Sequence, residues 1–203
     1  MCADSPMSHK CNNMTQALQA EQARMVPRSK WAGRFLWASV IQGLIAVVAT
    51  VLIVEPVSYF NITWYYAPSK VIAGGGGGTW MFTGYITFLV VGVVATAVTA
   101  LFYSYIEGSL GKVYNGLTNY LAWGHLILMN VGVAGSMSLM MYGGYLAGWS
   151  GAAVSAGGLG YTDYQIHVHY LGQLVNPIGG LVLVAALGAI LGGLGFVLRT
   201  RQK

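Results

Sequence analysis

Four long stretches of this 203-residue chain carry no charged residue at all. They are the 20 residues between Arg34 and Glu55, the 36 between Lys70 and Glu107, the 50 between Lys112 and Asp163, and the 35 between Asp163 and Arg199. A bilayer core about 30 Å thick takes about 20 apolar residues in a helix rising ~1.5 Å per residue. Once polar and Gly-rich ends are trimmed, each stretch supplies one span. The spans are predicted near Phe35–Val54, Trp80–Tyr103, Tyr120–Leu146 and Leu174–Leu198. Runs such as Leu44-Ile45-Ala46-Val47-Val48-Ala49 do not alternate, which excludes the strands of a membrane barrel. The pattern predicts an all-α membrane protein, a four-helix transmembrane bundle over residues 31–203 behind a polar N-terminal segment, residues 1–30.

Composition agrees. Hydrophobic residues make up 56% and charged residues 7%, against about 25% charged in a typical soluble domain. A soluble enzyme, a disordered tail and a nucleic-acid-binding domain are thereby excluded. The ten Lys and Arg residues set an orientation. With both termini cytoplasmic, nine of them fall on the inner side and only Lys70 on the outer. The net charge of +5 is then a topology signal with some attraction to anionic lipid, and it calls for no nucleic-acid partner. The predicted localisation is the cell membrane, multi-pass.

The connections differ. Cys2 and Cys11 fall in the polar inner segment at a spacing that matches no zinc or redox motif. The first outer loop, residues 55–79, holds Phe60, Trp64, Tyr65 and Tyr66, a headgroup-level aromatic cluster. It also holds the sequon Asn61-Ile62-Thr63 and the tract Gly74–Gly78, expected as a flexible spacer. The inner loop, residues 104–118, is short and turn-rich. Residues 147–173 form the longest connection without predicted structure, and such loops are commonly functional.

That connection carries His167-Val168-His169. In an extended segment the two imidazoles point the same way, and in a helical one Asp163 lies four residues before His167. The three would suit zinc or copper. The alternative is an interfacial histidine pair bonded to headgroups, loop carbonyls and water.

His125 lies about six residues into the third span, some 8–9 Å deep by helical rise. Ionisable groups at such depth are costly, face the bundle interior and are functional candidates. Helical projection puts His125, Met129, Gly132, Ser136, Met140 and Gly143 on one face. One reading is a metal or haem ligand, with Gly132 making room for a planar ring. The other is a neutral histidine bonded across the bundle, for example to Gln42, with the glycines allowing close packing. His125 and the His167/His169 pair stand about 20 Å apart across the bilayer, so they are not two axial ligands of one haem. All five carboxylates lie outside the predicted spans, which argues against a pump, and no hydrolase or nucleotide-binding motif appears. In the fourth span Ala185, Gly188, Gly192 and Gly195 form a packing ridge.

The run Trp123-Gly124-His125-Leu126-Ile127-Leu128-Met129-Asn130-Val131-Gly132, with the entry Trp31-Ala32-Gly33-Arg34-Phe35-Leu36, resembles short four-helix members of the cytochrome c oxidase subunit I superfamily. The resemblance covers twenty to thirty residues and lacks the paired histidines and copper-site tyrosine of full subunit I. It implies that His125, with Met129 and Gly132 beside it, stands where a haem ligand would. It further implies a subunit of a respiratory electron-transport complex that is not catalytic alone. Expected partners are the lipid bilayer and other membrane subunits or further copies of the chain. The competing expectations are a cofactor-free structural or assembly protein and a small pore or transporter.

Overall fold

The computed structural model describes residues 14–17, 29–54 and 67–201. The described residues are predominantly helical, without strands, and four helices are long and apolar enough to cross a membrane. We number them α1 (Lys30–Val54), α3 (Gly78–Ser109), α4 (Gly116–Gly151) and α5 (Asp163–Arg201), with a short α2 (Pro68–Ala73) between the first two. This is the architecture of a multi-pass membrane protein. The end of the bundle where α1 begins and α5 finishes is called the near end, and the opposite end the far end. Cys2, Cys11, the aromatic cluster of residues 60–66 and the sequon lie outside the described residues.

Helices α1, α4 and α5 start where the sequence supplies a side-chain cap. Ser29 Oγ accepts from Ala32 N at 3.0 Å at the start of α1. Asn115 and Thr118 form a reciprocal capping box ahead of α4, and Thr162 and Gln165 do the same ahead of α5. The packing order is sequential. Helix α4 lies against α5 over most of its length and against the far half of α3, while α1 leans chiefly on α3 and meets α4 only slightly.

Three expectations are corrected. Helix α5 begins at Asp163 and not near Leu174, because the Thr162–Gln165 box starts it early; residues 163–173 are helix and not loop. Residues 152–162, all that remains of the connection, are pinned by Trp149 Nε1 donating to Gly157 O at 3.0 Å and by Tyr161 N donating to Ser150 O at 2.9 Å.

The Gly74–Gly78 tract is a packed turn and not a spacer. Gly75 and Gly76 hold left-handed backbone conformations. A Cβ on Gly77 would strike Ala147, and one on Gly78 the Val71 carbonyl. Glycine is used here for closeness as much as for freedom.

Finally, α3 runs on to Ser109 and takes Glu107 into the bundle, where the carboxylate is only 5% exposed. Glu107 lies four residues beyond the predicted span Trp80–Tyr103, but it is buried within the same helix and not in a loop. Ser29 Oγ donates to Glu107 Oε2 at 2.5 Å and Trp31 N donates to the same oxygen at 3.1 Å. Glu107 thus ties the near end of α3 to the first turn of α1. Its negative charge at that helix start is also favourable to the helix dipole.

Candidate functional site

His125 sits at the near end, where all four long helices converge in an aromatic core. Its ring centroid lies 4.9 Å from that of Phe35 (α1), 6.0 Å from Tyr103 (α3) and 6.0 Å from Phe196 (α5). Its Nδ1 shares a hydrogen bond with Tyr103 Oη at 3.3 Å, so the expected bond to Gln42 is not made. Tyr103 in turn stacks on Phe35 at 4.8 Å and tilts against Tyr114 at 5.1 Å. Tyr114, in the connection before α4, is held in its neutral form: burial raises its pKa first, and the Glu107 carboxylate adds to this while Arg199 opposes it.

The fourth side of the imidazole is backbone. A Cβ on Gly192 would overlap the His125 ring, so α5 presents bare backbone to it. The remainder of the predicted face is closed in the same way. A Cβ on Gly132 would lie 2.6 Å from Leu181 O and closer still to Ala185 N. A Cβ on Gly188 would strike Met129 N, and Met129 itself packs in a second core with Ala46, Phe88, Val133 and Met137. Ser136 spends its hydroxyl on Gly132 O, 2.6 Å away on its own helix. Met140 and Gly143 meet Gly84 and Leu174 respectively. The stripe read from the sequence is real as a face, and neighbouring helices fill it. As packed, His125, Met129 and Gly132 do not fit a haem, because the slot a planar ring needs is taken by α5.

The other predicted set is spread apart. His167 and His169 fall on one helical turn, where a two-residue step rotates side chains by about 200°. Both are exposed, and His169 rests 5.7 Å from the Tyr161 ring. Asp163 is exposed in the first turn of the same helix. No three His, Cys, Asp or Glu side chains stand close enough to hold a metal ion among the described residues.

A polar cluster at mid-depth was only half visible beforehand. The sequence offers Gln42 as a partner for His125; the structure joins it to Asn130 instead, Gln42 Nε2 donating to Asn130 Oδ1. Thr96 Oγ1 approaches the same oxygen at 3.5 Å, and Asn130 Nδ2 donates to Leu126 O at 2.6 Å. Beside them α3 widens into a π-helical stretch, Phe88–Ala95. There the Val93 carbonyl accepts from Ser39 Oγ at 2.9 Å, a bond between helices. Gln42 Oε1, pressed against Gly92, is buried with no hydrogen-bond partner. No sequence signal marks the π-helical stretch, which lies within an unbroken apolar run.

Comparison of the chain with protein-family models, curated proteins and solved structures returns no match.

Proposed function

We propose that this chain is a cofactor-free structural subunit of a larger membrane assembly, crossing the cell membrane four times with both termini cytoplasmic. The observation that carries the reading is the enclosure of His125 by Phe35, Tyr103, Phe196 and the backbone of Gly192. A buried imidazole with a hydroxyl partner and ring contacts on its remaining sides acts as a lock for four helices. The orientation is supported by the placement of nine of ten cations on the side of the termini. Association with other membrane subunits is supported by the apolar flanks of α1 and α5, where Leu36, Leu44, Val47, Leu183 and Ile190 are more than half exposed. That the assembly is a respiratory oxidase rests on the resemblance of residues 31–36 and 123–132 alone.

Purification of the native protein in mild detergent tests the reading. The expected result is a stoichiometric set of co-purifying membrane subunits and no Soret absorbance attributable to this chain. A Soret band that His125→Ala abolishes in a still-helical protein would overturn the cofactor-free role. A chain that purifies alone and passes small solutes across liposomes would replace the structural role with a pore.

A further inference from the structure

The slight contact between α1 and α4 leaves a trench on the flank of the bundle, a groove of about 540 Å³. Gly33, Trp37 and Ile41 line it from α1, and Leu126 and Val131 from α4. Gly33 has no atom within 4 Å of where its Cβ would be, so the trench is open there. From Lys30 to Ile41 it runs about 16 Å by helical rise, which is half of a hydrocarbon core about 30 Å thick. It therefore spans one leaflet, from the near-end interface to the bilayer midplane. Its floor ends at Asn130, in the mid-depth polar cluster.

The mouth is cationic. Lys30 and Arg34 stand four residues apart on α1, both exposed, and both line the groove. Like charges at that spacing repel. Among the described residues, none that lines the groove carries a carboxylate. The nearest acid in the structure's hydrogen-bond pattern, Glu107, is turned inward and accepts from Ser29 and Trp31. The backbone amides at the start of α1 are also taken: Trp31 N by Glu107, and Ala32 N by Ser29 Oγ. An anion at the mouth would thus be held by the two side chains. Arg34 is already positioned for this, with its guanidinium carbon 4.4 Å from the Trp31 ring centroid and 4.6 Å from that of Trp123. Stacking by its face leaves the edge N–H groups of a guanidinium for a phosphate oxygen.

We propose that this trench binds one anionic glycerophospholipid from the near-end leaflet, an acyl chain lying between α1 and α4 and the phosphate between Lys30 and Arg34. Length, apolar lining and a paired positive mouth without a counter-charge among the described residues match that one class of molecule. The proposal needs only that the helices cross a membrane, and it stands whether or not the chain belongs to an oxidase.

The test uses the full chain, reconstituted in vesicles of equal parts phosphatidylglycerol and phosphatidylcholine, re-extracted in mild detergent and washed. Retained lipid is then counted by native mass spectrometry. The expected result is about one phosphatidylglycerol per chain, preferred roughly thirtyfold over phosphatidylcholine, the factor that two basic groups near the membrane surface supply. The Lys30→Gln/Arg34→Gln variant should bring the preference to near unity. Gly33→Leu, which fills the trench and leaves the cations in place, should release the lipid. Arg34→Lys should keep most of the preference, since it keeps the charge. Far-UV circular dichroism checks that each variant is as helical as the parent.

Equal retention of the two lipids by the parent chain would overturn the proposal, as would an unchanged preference in Lys30→Gln/Arg34→Gln. So would complete loss in Arg34→Lys, or displacement of the lipid by inorganic phosphate. A stoichiometric polypeptide retained in its place and released by Gly33→Leu would reassign the trench to a protein partner.

Discussion

Helix α4 meets its two outer neighbours in opposite ways. Against α5 the contact is made by bare glycine backbone: Gly132 meets the backbone of Leu181 and Ala185, Gly188 that of Met129, and Gly192 the His125 ring. Against α1 the contact is made by side chains at two levels, with Trp31, Trp123, Phe35 and His125 at the near end and Gln42 with Asn130 at mid-depth. Between and beside those levels a trench stays open. In a membrane the lipid tails are as apolar as the side chains, so helices associate by close fit or by hydrogen bonds and gain little from burial alone. One side of α4 uses continuous close fit; the other uses ring packing at the near end and a hydrogen bond at mid-depth. Continuous fit leaves no free space, and contacts at separated points leave room for a third party.

The seam should therefore fail first. Gly132→Ala places a methyl group against the backbone of Leu181 and Ala185, which has no rotamer to change. Overpacking of this kind costs about 1–3 kcal/mol, and contact with backbone puts it at the upper end, about 3 kcal/mol. The check is the midpoint of detergent-to-SDS unfolding followed by circular dichroism. An Ala variant as stable as the parent would mean that α4 and α5 are not in backbone contact there, and the contrast between the two sides of α4 would vanish.

This seam was legible in the sequence, and the other side of α4 largely was not. A glycine ridge at helical spacing on the fourth span, and His125, Gly132 and Ser136 on one face of the third, follow from periodicity alone. What periodicity cannot give is the partner across the gap. Comparable depth makes Gln42 one possible partner for His125, yet the rotation of α1 on α3 turns it to Asn130 and leaves His125 to Tyr103. Counting apolar residues puts Glu107 outside the second predicted span. Ser29 and the first turn of α1 give a carboxylate hydrogen-bond donors at the bundle's edge, and a hydropathy count does not include those. The early start of α5 is legible, since Thr162-Asp163-Tyr164-Gln165 has capping-box spacing.

The bonded side of α4 should cost less to disturb. A double-mutant cycle on Gln42→Ala and Asn130→Ala isolates their interaction, and interhelical bonds in membranes average about 0.6 kcal/mol. Coupling near that figure is expected from the same unfolding assay. Gln42 also carries an unpartnered buried oxygen, so Gln42→Leu removes a cost together with a bond and should destabilise less than Asn130→Leu. Coupling above about 2 kcal/mol would show that this bond is no weaker a link than the glycine seam, and the ranking of the two sides would reverse.

The smallest effect should have the opposite sign. Gly33→Ala is the same chemical change as Gly132→Ala on another membrane-crossing helix, yet its added methyl meets no atom within 4 Å because it projects into the trench. What remains is backbone freedom. Alanine restricts the unfolded chain more than glycine does and is the better helix former by up to about 1 kcal/mol in water. A gain of about 0.5 kcal/mol is expected in the SDS titration, with helicity unchanged. A loss of the size seen at Gly132 would mean that α1 lies against a neighbour at this level and that no trench opens there. The sign of this one substitution thus separates a glycine that permits contact from a glycine that leaves space.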